Sequence, residues 1–325
     1  MPEPLLYLKS IGAASIAVVM SILLLVSLRR TQGKMWHTSA CIISIGFGLI
    51  VGFQAMSWQF AWPPMNGMDR LIEIVIPATL VIELFAGNQR VPPWCVWFLR
   101  ICLALATPRI LLHGSVYLSG ADVEWTAWQA TIALTLSSGL LAGVWGLLAW
   151  LFRRSPGASI PLALCLAMPS AGAAVMMAGY IKGGAVTVPL TGTLAAATIV
   201  TMLITNRSNP STSSCGQAVL GIGVVSLFGV LFIGSFFGRL STSYALTILA
   251  SPILCWMSEL SFFRNQKPWI TGTLRIAVVA IPLVTVLVLA KLDFDRHMAP
   301  LMGYEIQLID SPEVNVMKLT EGGSV

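Results

Sequence analysis

Apolar runs about as long as a bilayer is thick follow one another along most of this chain. Bounded by charges, Gly/Pro clusters and tryptophans, ten of them fall at roughly 8–28, 37–60, 70–86, 95–118, 125–152, 159–180, 185–205, 217–238, 244–263 and 270–290. A helix rises about 1.5 Å per residue, so about twenty such residues cross the hydrocarbon core. The expected fold is an all-α polytopic integral membrane protein of about ten spans. Composition agrees: 10% of the 325 residues are charged and 56% are hydrophobic, whereas a soluble domain is about a quarter charged. With a mean hydropathy of +0.83, the main solvent and partner is the lipid bilayer.

Trp36, Trp58, Trp62, Trp94, Trp97, Trp125, Trp128, Trp150 and Trp269 lie near the proposed ends, as expected of interfacial belts. The run 11–28 is followed by Arg29 and Arg30 with no small-residue cleavage site. A signal peptide carries its positive charge first, so this run reads as a retained helix. The net charge of +6 sets topology, and no basic stripe with interleaved aromatics points to nucleic acid.

Segment 70–86 decides between nine and ten spans, because its uncharged stretch, 74–82, is short. Arg29, Arg30 and Lys34 follow the first span, and Arg153 and Arg154 follow the fifth. Both clusters reach one side only if 70–86 crosses. Arg207, Arg264 and Lys267 then join them, while Asp122 and Glu124 face away. The positive-inside rule thus predicts ten crossings of a cell membrane, with both termini extracytoplasmic. Residues 1–290 form the membrane domain and 291–325 a short soluble tail. In that tail "YEIQLID" (304–310) and "VNVMKLT" (314–320) alternate around "SPE", the pattern of a β-hairpin. Two strands alone are marginal in water, so the tail would dock or stay disordered.

The third span, "LIEIVIPATLVIELFAG", holds Glu73 and Glu83, and the fourth holds Arg100, Arg109 and His113. An ionisable group in a span costs about 3 kcal/mol on insertion scales and ordinarily faces a partner or a watery cavity. The short "NQRVPPW" turn makes the two helices antiparallel neighbours. From their near ends, Glu83 and Arg100 lie ~6 and ~9 Å deep, Glu73 and Arg109 ~21 and ~22 Å. Each acid therefore has a base at its own level. Around an ideal helix, however, the two arginines point about 180° apart, whereas the two acids differ by about 80°. Glu73–Arg109 is expected as the buried pair ahead of Glu83–Arg100, with His113 one turn on completing a polar triad, and a kink at Pro108 or snorkelling of Arg100 to the interface would relieve the conflict. On one reading these charges only fix helix register. On the other they bind or pass a small polar or ionic solute, or relay protons, with Glu73 and His113 titrating. Glu259 and Arg275 read as near-interface anchors, and Lys182 as a loop cation.

Small residues four apart, Gly48/Gly52, Gly139/Gly143, Ser170/Ala174/Ala178 and Gly234/Gly238, allow close helix approach, for static packing or for sliding. Pro77, Pro108, Pro169, Pro189, Pro252 and Pro282 lie within spans and kink them. The two five-helix halves show no convincing repeat, which weighs against an inverted-repeat transporter.

Enzyme signatures are missing: no H-E-x-x-H, no G-x-S-x-G, no phosphate-cradling glycine loop and no adjacent acidic pair. The six cysteines, Cys41, Cys95, Cys102, Cys165, Cys215 and Cys255, form no C-x-x-C pair and read as small apolar packing residues. His37, His113 and His297 lack ligand spacing, so no metal site and no cofactor are expected.

Three stretches, "WPPMNGMDRL" (62–71), "RVPPWCVWFLR" (90–100) and "LLHGSVYL" (111–118), resemble a group of multi-spanning membrane proteins of planctomycete-type bacteria without an assigned function. The resemblance covers about residues 55–185. It implies a bacterial inner membrane and transfers no activity or site. Two functions stand: a transporter-like protein with its site at the charged hairpin, or a non-catalytic scaffold or subunit among other membrane subunits.

Overall fold

A computed structural model describes residues 4–28, 34–88, 90–115, 126–154, 159–205, 213–259 and 268–297. These residues are helical throughout, apart from short turns. In chain order the elements are α1 (Pro4–Leu28), α2 (Lys34–Ala55), α3 (Gly67–Arg70), a π-helical turn (Leu71–Val75), α4 (Ile76–Ala86), α5 (Pro93–Leu112) and α6 (Ala127–Arg154). They continue with α7 (Ser159–Met177), α8 (Ile181–Ala185), α9 (Thr187–Thr205), α10 (Ser213–Phe237), α11 (Thr242–Ala250), a 3-10 stretch (Ser251–Glu259) and α12 (Pro268–His297). Most of the described part of each of the ten apolar runs is helical. Among the described residues, eight helices are long and apolar enough to cross a membrane. The two remaining runs are interrupted: 67–86 by the π turn and 242–259 by its passage into 3-10 geometry. The chain is a multi-pass, all-α membrane protein. Segments 116–125 and 298–325, with the acidic loop and the hairpin at 304–320, lie outside the described residues.

The bundle is organised around α10. Its apolar window is 89% buried, against 17% for α1 on the rim. Val219, Ile222, Val224, Val225, Val230 and Ile233 of α10 have no exposed surface at all. Its faces pack against α4, α6, α7 and α9. A helix apolar on every side belongs at the centre of a bundle, whereas α1 shows Leu8, Ile16, Met20 and Leu24 outward, where lipid is the solvent.

Close approach is made by glycine in some places and not in others. A Cβ at Gly48 would strike Val18, and one at Gly52 would lie 2.7 Å from Pro189 Cβ, so α1, α2 and α9 meet there. Gly139 and Gly143 meet nothing within 4 Å; that pair plays no part in packing among the described residues. Several buried hydroxyls return to their own helix: Thr79 donates to Val75 O at 2.7 Å and Thr107 to Leu103 O at 2.7 Å. Such bonds let a polar side chain sit in an apolar bundle without an unmet donor.

Two cysteines depart from the apolar-packing expectation. Cys41 on α2 and Cys215 on α10 form a disulfide across a separation of 174 residues. No spacing rule connects positions so distant; only the docking of α2 on α10 brings them together. Cys95, Cys102 and Cys165 are free thiols.

Candidate functional site

The Glu73 turn is shaped by Pro77. In a regular α-helix the N–H of residue 77 would bond the Glu73 carbonyl, but proline lacks that hydrogen and its ring crowds that oxygen. The backbone responds by widening over Leu71–Val75, where Ile76 N–H donates to Leu71 O. π turns of this kind recur at functional positions. The turn changes the rotation between Glu73 and Glu83, so the angle expected from an ideal helix does not hold.

The buried ion pair is Glu83–Arg100. Arg100 Nε donates to Glu83 Oε1 at 3.0 Å and Nη2 to Oε2 at 2.7 Å. The side chains are 2% and 1% exposed, so the pair is sealed in protein. Arg100 does not snorkel: its guanidinium carbon lies 5.3 Å from the Trp97 ring centre and 5.5 Å from that of Trp145. The opposite wall is Gly221 of α10, where a Cβ would overlap Glu83 Oε1. Matched depth points to this pair and to Glu73–Arg109 alike; among the described residues Glu83–Arg100 is the one that forms. The wheel argument also holds in one respect, since Arg109, half a turn away, is exposed.

The expected Glu73–Arg109–His113 triad does not assemble. Both Glu73 oxygens are covered, yet neither holds a hydrogen bond, and no ion pair reaches them among the described residues. The residue itself is partly exposed and lies one turn before exposed Pro77, on the stripe that carries Val81, Leu84 and Phe85 outward. His113 is exposed and contributes its backbone: Arg70 Nη1 donates to His113 O, and Nη2 to Met65 O at 3.4 Å. Arg70 thus ties the start of α3 to the end of α5. One clue to this is visible in the sequence, a cation flanking the weakest span.

A second polar group lies where the C-terminal ends of α7, α10 and α12 meet the start of α11. Tyr244 OH donates to Asp293 Oδ2 at 2.6 Å. Beside them opens a cavity of about 340 Å³, lined among others by Met177, Arg239, Leu240, Tyr244, Asp293 and Phe294. The chain builds this corner with a glycine turn. Gly179 adopts φ 88°, while Gly179 N–H bonds Met176 O and Tyr180 N–H bonds Val175 O, the pairing of a Schellman cap. Arg239 N–H then donates to Ala178 O at 3.2 Å, which sets a cation at the negative end of α7. Sequence reading missed this group because its members come from three separate helices and the turn after α10.

Arg275 is 6% exposed and donates to Ser159 Oγ at 2.9 Å, so it is a buried register contact rather than an open anchor. The Glu259 side chain lies outside the described residues. Lys182 is exposed, but it lies on the short helix α8 rather than in a loop. Among the described residues no His/Cys/Asp/Glu cluster could hold a metal.

No protein-family model, no curated protein and no solved structure matches the chain.

Proposed function

We propose that this is a transporter-like protein of a bacterial inner membrane in which Glu73 is the proton- and solute-contacting group. The supporting observation is the carboxyl at the π turn, covered by protein and without a hydrogen-bond partner among the described residues. A buried carboxylate is costly unless compensated, and in the sealed pair about three turns away the bundle compensates one. Leaving the second carboxyl unmatched makes sense when its partner comes and goes. A proton is one such partner; the ammonium or hydroxyl of a polar solute is another. The chain crosses ten times in this reading, with 67–86 a full crossing and both termini extracytoplasmic. Positive charge at Arg153 and Arg154 marks the cytoplasmic end.

The rival reading is a non-catalytic scaffold or complex subunit. The dry Glu83–Arg100 pair favours it, since a sealed ion pair holds helices and touches no solute. The two separate in proteoliposomes with an internal pH dye, challenged with a panel of small organic acids, amines and amino acids. Transport predicts proton flux with at least one solute and its loss in Glu73→Gln. Flux that survives this substitution removes Glu73 from the site, and silence across the panel at full incorporation favours the scaffold.

A further inference from the structure

We infer that the cavity between α7, α11, α12 and the turn that follows α10 is a binding site for a small zwitterion that carries an anionic group and a primary ammonium on a short apolar body. It is independent of Glu73. Three features define the ligand. Arg239 lines the cavity and is exposed, and a guanidinium there suits a phosphate or carboxylate. Asp293 supplies the opposite charge. A carboxylate offers about four lone-pair directions, and the Tyr244 hydroxyl, 2.6 Å from Oδ2, orients it. Ala174, Met177, Ala178, Leu240, Ala290 and Phe294 supply apolar lining. A cavity of about 340 Å³ is at the small end of ligand sites, which run from about 300 Å³ upward.

Depth narrows the source. Asp293 is the twenty-sixth residue of α12, which begins at Pro268, so it lies about 37 Å along the helix. The hydrocarbon core is only about 30 Å thick. The polar mouth therefore sits at headgroup level, where a phosphoethanolamine headgroup from the bilayer or a free zwitterionic amino acid from solution can enter. The shared chemistry is the anion–ammonium pair. A quaternary ammonium lacks the N–H that Asp293 would accept, so choline headgroups fit less well.

The test is binding to the purified full chain in detergent, with glycerophosphoethanolamine, glycerophosphocholine, glycerol 3-phosphate and leucine as probes. Glycerophosphoethanolamine should bind about tenfold tighter than glycerol 3-phosphate, the scale of one charged hydrogen bond. Asp293→Asn, which keeps an acceptor for Tyr244, should erase that preference. Arg239→Gln, at an exposed position, should weaken every anionic probe by a similar factor. Leucine binding that both variants weaken would identify the free amino acid as the occupant and support the same site. If no zwitterion binds, or both variants bind as the parent does, the inference is overturned.

Discussion

Arg100 clasps Glu83 through two nitrogens, at 3.0 and 2.7 Å, inside a wall of protein. One partner comes from α4 and the other from α5, and Gly221 of α10 closes the pocket. Burying two charges is costly, so the geometry must be good for the pair to persist. Removing one partner strands the other. Glu83→Gln or Arg100→Gln should each destabilise the protein by about 3–5 kcal/mol, read as lowered thermal midpoint in detergent. Replacing both with methionine should recover much of the loss, because a matched apolar pair leaves no unmet charge. Single variants as stable as the parent would contradict a sealed pair.

Gly221 carries the same point to α10. A methyl group there would occupy the position of Glu83 Oε1, so Gly221→Ala should lower the thermal midpoint. Gly143→Ala should not, since nothing lies within 4 Å of that position. Equal effects from the two substitutions would argue against this helix docking.

The Cys41–Cys215 bridge makes a separate prediction. The two residues are 2% and 6% exposed, and in the proposed orientation they lie toward the cytoplasmic end, where thiols prevail. Burial shields them from soluble reductants. Non-reducing peptide mapping should recover the two cysteine peptides joined, and a membrane-permeant maleimide should modify neither without prior denaturing reduction. Ready alkylation of both in untreated membranes would show that the bridge does not form.

Tyr180 sits at the capped end of α7, outside the long spans. Burial pushes its phenol above the ordinary range, and the Asp69 carboxylate adds to the shift. The folded state thus ionises later than the unfolded chain. Its contribution to stability is complete below pH about 10, the ordinary tyrosine value, and fades as pH climbs beyond it. Asp69→Asn should move the tyrosinate absorbance transition to lower pH, and Tyr180→Phe should remove that component. An unmoved transition in Asp69→Asn would mean the carboxylate does not act on the phenol.

Much of the architecture was legible in the sequence because lipid imposes length and composition on helices directly. The described parts of the ten runs are mostly helical, and the doubtful one, 70–86, is broken by a π turn. Matched depth identified Glu83 and Arg100 as neighbours, since rise per residue survives local distortion. Rotation does not survive it: Pro77 widens the helix at Glu73, so the angle from Glu73 to Glu83 could not be read from ideal geometry, and the favoured partner was the wrong one. Arg100 was taken toward the interface because position along the helix says nothing of Trp97, Trp145 and Gly221, which make a buried place for it. The disulfide and the Tyr244–Asp293 corner depend on helix docking, which one sequence does not encode in any local pattern.

The most direct measurement is labelling of membranes with dicyclohexylcarbodiimide, an apolar reagent that attacks protonated carboxyls, followed by peptide mass analysis. The account predicts modification at Glu73 and none at Glu83 while Arg100 holds it; Arg100→Gln should open Glu83 to the reagent. Modification of Glu83 in the parent with Glu73 inert would contradict it, because the roles assigned to the two carboxyls would be reversed.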